Sequence, residues 1–320
     1  MIKGKSILIT GGAGFIGTSL ARRLCDDNKI VIFDNLHRDA FTKSPLANHP
    51  NITFIKGDVR DFSALQKAGA DCEIIVHMAS IAGVDTVMGK PVETMEIALE
   101  GTINALKVAL MFKSKLERFI DFSTSEVFGR FAFRAKEMDV TSLGAVGEAR
   151  WTYAVSKLAT EHLTYTYYKQ FGLPTLSVRP FNVYGPGQVG EGAIHTFITR
   201  ALRGETLLVH NDGDQIRSWC YIDDMVQGIL LCLDKKEAIG HSFNIGNPRS
   251  TVTIFQLAKI VQKLTGNKVK IEHIEWNYPD VELRVPDITK ARKILGFSPS
   301  VELEDGIART IEWYKEKLNH

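Results

Sequence analysis

Residues 6–17 read SILITGGAGFIG: a β-branched run, then Gly11, Gly14 and Gly17 spaced three apart, then the start of an amphipathic stretch over about 15–27. Few patterns restrict a fold as much. Glycines at these positions permit a tight strand-to-helix turn and close backbone approach, so a pyrophosphate can rest on the amides at the positive end of the helix. The next β-branched run, IVIFD, ends in Asp34, twenty residues beyond Gly14. A carboxylate at that strand end accepts hydrogen bonds from both hydroxyls of an adenosine ribose and repels a 2′-phosphate, which predicts NAD in preference to NADP. His37 and Arg38 close by weaken that preference slightly. At the end of the third run, ITFIKGD, Asp58 and Val59 either hold an adenine edge or simply turn the chain.

The alternation continues through EIIVHMA, a helical stretch near 91–112, and RFIDFST. Repeated strand, helix, strand builds a parallel sheet covered by helices on both faces. Another helical pattern, over about 152–171, leads into TLSVRP, after which Gly and Pro crowd NVYGPGQVGEGA and the elements become short and mixed. The chain therefore reads as α/β, with a doubly wound Rossmann sheet in residues 1–180 and a smaller C-terminal α/β substrate-binding lobe in 181–320. Residues 220–247, with the helical YIDDMVQGILLCL and the strand-like SFNIG, are expected to return to the main sheet.

Composition excludes several function classes. A chain of 320 residues, 44% of them hydrophobic, can bury a large core. The 39 basic and 37 acidic residues nearly cancel, and no stretch interleaves Lys and Arg with aromatics, so the footprint of a nucleic-acid binder is missing. No apolar run nears the roughly 20 residues a bilayer span needs, and the N-terminus enters a strand with no signal-peptide architecture. The expected partner is a small molecule, with no membrane contact and a cytoplasmic location. Cys25, Cys72, Cys220 and Cys232 are widely spaced with no CxxC, which suits reduced, buried thiols. The histidines, including His77, His195 and His210, lack metal spacing, so no metal is expected.

Two short motifs carry chemistry. YAVSK places Tyr153 and Lys157 four apart, on one face of a helix. A tyrosine keeps its proton to a pKa of about 10, so it serves as a base near neutrality only if a cation stabilises the phenolate; Lys157 is placed to do that. A pair of this kind is also common surface decoration, but here it follows a dinucleotide turn and a hydroxyl cluster. That cluster is FSTSEVFG, in which Thr124 and Ser125 are followed at once by Glu126.

TGGAGFIG, HMAS, STSEVFG and YAVSK, in this order, resemble the extended short-chain dehydrogenase/reductase family of nucleotide-sugar-modifying enzymes. The likeness continues through RPFNVYGP, DQIRSWCYIDD and ELRVPDITKARKILGFSP, essentially to the end of the chain. The resemblance implies NAD bound by Gly11, Gly14, Phe15, Ile16 and Gly17 at the turn. Asp34, Asn35, Asp58, Val59 and Ala79 would contact it at the following strand ends. It also implies that Thr124 hydrogen-bonds the sugar O4, that Tyr153 removes its proton, and that Lys157 lowers the tyrosine pKa and holds the nicotinamide ribose while hydride passes from sugar C4 to NAD. Asn182, Arg217 and Arg284 would contact the substrate diphosphate and its surroundings; any one of these arginines could equally be a salt-bridge partner. Such enzymes usually form homodimers through two helices per subunit, here those near 91–112 and 152–171.

The 4-keto sugar made in this way has three fates. A 4-epimerase returns the hydride to the other face and needs no further acid. A 4,6-dehydratase needs a base at C5 and an acid for the 6-hydroxyl, typically an Asp–Glu pair where this chain has Ser125–Glu126. A glucuronate decarboxylase forms a β-keto acid, loses CO₂ and must reprotonate C5, and members of that group resemble TSE. Glu126 then handles the C5 proton, with Ser125 against the sugar. Arg150 in EARWTYAVSK and Arg284 match arginines that such decarboxylases place near the sugar and its carboxyl. The stretch IAGVDTVMGKP, in contrast, lacks the tyrosine they generally present there. UDP-glucuronate decarboxylation is the leading expectation, with dehydration of an NDP-hexose or UDP-GlcNAc, or 4-epimerisation of a UDP-sugar, as alternatives. A non-catalytic NAD-binding scaffold is disfavoured, because Thr124, Tyr153 and Lys157 are all kept.

Overall fold

A computed structural model of the protein describes residues 2–266 and 268–318. The first half alternates strands and helices. β1 (Ser6–Thr10), β2 (Lys29–Asp34), β3 (Ile52–Lys56), β4 (Ile74–His77) and β5 (Arg118–Phe122) are joined by helices that include α1 (Phe15–Leu24), α2 (Phe62–Gly69), the short α3 (Val84–Gly89) and the long α4 (Pro91–Met111). β6 (Phe131–Ala135), α5 (Thr152–Phe171) and β7 (Thr175–Pro180) follow.

The main sheet has seven parallel strands in the order Ser242–Ile245, β7, β5, β4, β1, β2, β3. This is a Rossmann arrangement. The order reverses between β1 and β4, so the crevice at their carboxyl ends is where such a sheet takes its ligand. β4 and β5 are buried along their whole length, as expected for strands covered on both faces.

Helix boundaries follow local chemistry. α1 ends at Leu24 and does not run on to Asp27, because Asn28 Nδ2 donates to Leu24 O at 2.9 Å and closes the last turn. Asp61 caps α2 by accepting from Ala64 N at 3.0 Å. α4 opens on a proline, and α5 stops at Gly172, whose φ of 64° places it in the left-handed region. α4 and α5 pack against each other over the sheet.

The second lobe is built on a four-stranded sheet of Thr251–Thr253, Ile216–Ser218, Leu283–Pro286 and β6. β6 comes from ahead of residue 180, so the two lobes are interleaved and not simply consecutive. Ser242–Ile245, from within 220–247, pairs with β7 at the edge of the main sheet. All four cysteines are free and buried. Among the described residues no helix is long and apolar enough to cross a membrane.

Candidate active site

The glycine turn has the geometry its spacing implies. Gly11 has φ 69°, and a Cβ there would lie 2.8 Å from Ala79 N, so the turn is pressed against the end of β4. A Cβ on Gly17 would lie 2.6 Å from Gly12 Cα, which shows how closely α1 packs on the turn. Asp34 is 8% exposed; its carboxylate accepts from Ala13 N at 3.0 Å and Leu36 N at 2.7 Å. Burial raises its pKa and these two amides pull it back, so the same carboxylate pins the turn and edges the crevice.

The cavity at the switch point has a volume of about 370 Å³. Gly11, Gly14, Phe15, Ile16 and Gly17 line it, together with Asp34, Asn35, Asp58, Val59 and Ala79. Thr124, Tyr153 and Lys157 line the same cavity. A groove with glycine-bared amides, a carboxylate at the end of the second strand and a fully buried lysine whose Nζ has no hydrogen-bond partner among the described residues fits NAD. Asp58 is already clasped by its neighbour, Arg60 Nη2 to Oδ2 at 2.7 Å, which lowers its pKa. Arg38 also lines the cavity, but its guanidinium is already engaged. It reaches across to Glu191 at 3.1 Å, while Glu191 also accepts from the amides of Asp85 and Thr86 at the start of α3.

Tyr153 is held with its proton more tightly than a free tyrosine, first by burial and then by Glu126, while contact with the Thr124 hydroxyl opposes this. Thr124 Oγ1 in turn accepts from Glu126 N at 3.2 Å, capping the short 3₁₀ turn Ser125–Phe128 that carries Ser125 and Glu126.

Glu126 does not line the NAD cavity. It sits beside it in a knot of charges. Arg150 grips it with Nη1 to Oε2 at 2.6 Å and Nη2 to Oε1 at 3.1 Å, and Arg284 Nη1 is 3.9 Å from Oε1. Arg150 and Arg284 are buried, with side chains 5% and 3% exposed, whereas Glu126 keeps 21%. Burial favours the neutral acid, but Arg150, then Arg284 and Arg217, overcome it and hold Glu126 below its ordinary pKa. Burial also lowers Arg284, to about 10.

Asp280, which the sequence reading missed, adds a second anion: it is 3.7 Å from Arg150 and 3.5 Å from Arg217. Arg217 further donates to Val281 O, and Arg284 Nη2 to Gly129 O at 2.6 Å. Nothing in the local pattern YPDV announces the acid, because its partners come from other elements. Ser125, next to Glu126 in the 3₁₀ turn, is buried. Asn182 stands apart from the knot, with φ 33° and its side-chain amide donating to Ser218 O at 2.8 Å, so it braces the exit of β7 against the second lobe.

Residues 7–246 match the NAD dependent epimerase/dehydratase family. Among curated relatives, the UDP-N-acetyl-alpha-D-glucosaminuronate decarboxylase of Bacillus cytotoxicus is 36% identical over 325 residues, covering 98% of this chain and 99% of that protein. UDP-glucuronic acid decarboxylase 1 of Xenopus tropicalis is 32% identical over 321 residues, 99% of this chain and 73% of that protein. Among solved structures, the UDP-glucuronic acid 4-epimerase of Bacillus cereus, in complex with UDP-glucuronic acid and NAD, superposes with a TM-score of 0.89 at 30% identity, covering 98% of this chain and 99% of that one. With the glycine turn, the Tyr–Lys helix and this likeness running from end to end, the chain belongs to the NAD-dependent epimerase/dehydratase family.

Proposed function

We propose that the protein is a decarboxylase of a UDP-linked uronic acid, of the UDP-glucuronate type, working through a 4-keto sugar. The observation that carries this reading is the charge knot beside Thr124 and Tyr153: three buried or nearly buried arginines face only two carboxylates, Glu126 and Asp280. One positive charge is left over where a third carboxylate, that of the substrate, would be drawn in.

NAD, when bound, supplies the acceptor for the hydride leaving sugar C4. In this reading Thr124 hydrogen-bonds the 4-hydroxyl and Tyr153 takes its proton, with the Lys157 ammonium offsetting the burial that otherwise keeps the phenol protonated. A substrate carboxylate arriving at Arg150 and Arg284 competes with Glu126 for the same guanidinium forks. Loosened from Arg150, Glu126 regains basicity, takes up a proton from water, and can pass that proton to the C5 carbanion left when CO₂ departs, with Ser125 holding the sugar in place. Residues 1–180 with 220–247 would hold NAD, and the remainder of 181–320 the nucleotide sugar, with Arg217 in the charge knot at the sugar and Asn182 toward the diphosphate.

One observation favours a second reading. The two-pronged Glu126–Arg150 pair also suits an enzyme that keeps the carboxylate and simply inverts C4, as a uronic acid 4-epimerase does. Incubation with NAD and either UDP-glucuronate or its 2-acetamido analogue separates the two: CO₂ release supports decarboxylation, and a C4 epimer of unchanged mass supports epimerisation. Turnover of neutral UDP-hexoses alone, with water loss, moves the assignment to a dehydratase and overturns the carboxylate site.

The reading includes a homodimer formed through α4 and α5, whose outer faces present Val92 and Met111, and Val155 and Tyr165, at 41–68% exposure. It also includes a cytoplasmic location, in keeping with four free buried thiols.

A further inference from the structure

Along one face of the main sheet the register lines up Thr10, His77, Asp121, Ser177 and Ser242, one from each of five neighbouring strands. Residues in register on adjacent strands point to the same side, and here that side lies under α4 and α5. Polar groups sealed there need partners. His77 has them, with Thr10 Oγ1 at 2.7 Å and Thr102 Oγ1, from α4, at 3.1 Å. Ser242 donates to Glu161 of α5.

Asp121 differs. It is fully buried, and neither of its oxygens has a hydrogen-bond partner among the described residues; the same holds for Lys157 Nζ. The Ser177 hydroxyl favours the ionised carboxylate without completing a bond by geometry. The ammonium and the carboxylate face each other at 4.0 Å, Lys157 1% exposed and Asp121 wholly enclosed.

The other groups around the pair are already matched. Glu161 accepts from Arg179 Nε at 3.1 and 3.0 Å and from Ser123 and Ser242. His77 carries no charge at neutral pH, since burial keeps a second proton off the imidazole, and burial holds the proton on the Tyr153 phenol wherever the Lys157 ammonium does not offset it. Among the described residues, Asp121 is the one uncommitted anion beside Lys157.

We propose that Asp121 is a positioning residue for the Tyr153–Lys157 pair: from outside the cavity lining, its carboxylate keeps the Lys157 ammonium charged and presented to Tyr153 and the nicotinamide ribose. The inference rests on the catalytic reading of Tyr153 and Lys157 given above. An ammonium closed off from water with no counter-charge gives up its proton readily. Burial pushes Lys157 in that direction, and Asp121, then Glu161, push it back. Burial raises Asp121 itself to about 6, with Lys157 opposing and Glu161 adding to the rise, so the counter-ion is in place above that pH.

Asp121→Asn keeps the shape and removes the charge. In the pH profile of kcat/KM with UDP-glucuronate, or with whichever UDP-sugar the enzyme turns over, the alkaline limb is expected to move down by about one unit or more. A profile with the wild-type limbs overturns the proposal.

A second arm needs no substrate. Thermal unfolding of Asp121→Leu, Lys157→Met and the double variant reads the pairing directly, because each single change leaves one buried charge bare. The double variant is expected to melt above both singles, and a single variant too unstable to fold beside a folded double is the extreme of the same result. Shifts that merely add, or a double variant below both singles, overturn the proposal. Full turnover by Lys157→Met would instead sink the catalytic reading while leaving the coupling between the two positions measurable.

Discussion

Arg150 holds Glu126 by both prongs of its guanidinium, at 2.6 and 3.1 Å, across 24 residues of chain that run out through β6 and return at the start of α5. The pair keeps Glu126 ionised and unavailable as a base until something else engages the arginine. Arg150→Met removes that hold. Its stability cost is expected to be about 2 kcal/mol, below the 3–5 of a fully sealed pair, because Glu126 is 21% exposed and retains Arg284 at 3.9 Å. The functional loss is expected mainly in KM for a uronic acid substrate, with much less effect on a neutral UDP-hexose. Equal losses on both substrates would remove Arg150 from carboxylate recognition.

Glu126→Gln tests the proton transfer itself. The amide keeps the volume and still accepts a hydrogen bond, but it cannot carry a proton to C5. Oxidation at C4, which the proposed mechanism assigns to Thr124, Tyr153 and Lys157, is expected to proceed, so mass spectrometry should find a 4-keto sugar while product formation falls at least about a hundredfold. Wild-type product yield would leave Glu126 as a structural partner of Arg150 only.

How much of this could be read beforehand depends on the range of the interaction. The glycine turn and the Tyr153–Lys157 pair are legible because their meaning lies in spacing along one turn or one helix face, and Asp34 because a strand end fixes where it points. The start of α5 at Thr152 and its stop at Gly172 are local in the same sense. Asp280 and Asp121 were invisible for the opposite reason. An acid in YPDV or RFIDF says nothing by itself; the first acquires its role from Arg150 and Arg217, and the second from a lysine on a helix laid over the sheet. β6 belongs with them, since only the pairing of Phe131 with Leu283 shows that this strand serves the second lobe. Arg38 shows a local reading redirected by a distant one: it follows Asp34 by four residues, yet Glu191 takes its guanidinium.

The glycine turn leaves no room for side chains. Gly17→Ala sets a Cβ 2.6 Å from Gly12 Cα, a backbone atom that cannot swing aside. α1 must then lift from the turn, at a cost of about 1–3 kcal/mol. Gly11→Ala adds a left-handed φ of 69° to a 2.8 Å approach to Ala79 N and is expected to cost at least as much. Both variants should lose most of the rise in melting temperature that NAD gives wild type, since the amides that receive the pyrophosphate move with the helix. A variant with normal NAD stabilisation would show that the pyrophosphate rests elsewhere.

His77 gives the fold an acid-sensitive element remote from substrate. Buried between Thr10 and Thr102, it has its pKa lowered by burial, and then by Lys157, from 6.5 to about 3. The sign follows from linkage: below 6.5 the unfolded chain takes up a proton that the folded protein refuses, so stability present at neutral pH drains away as pH falls toward 3. At about 1.4 kcal/mol per pH unit, roughly 2 kcal/mol is lost by about pH 5. His77→Asn forfeits packing and one or both threonine contacts, so it is expected to be less stable than wild type at pH near 7.5. The gap should narrow by about 2 kcal/mol in urea titrations at about pH 5, because asparagine has no proton to gain. Parallel losses in the two proteins over that range would mean that His77 already titrates normally in the folded state, and that the polar row beneath α4 and α5 is wetter than its enclosure implies.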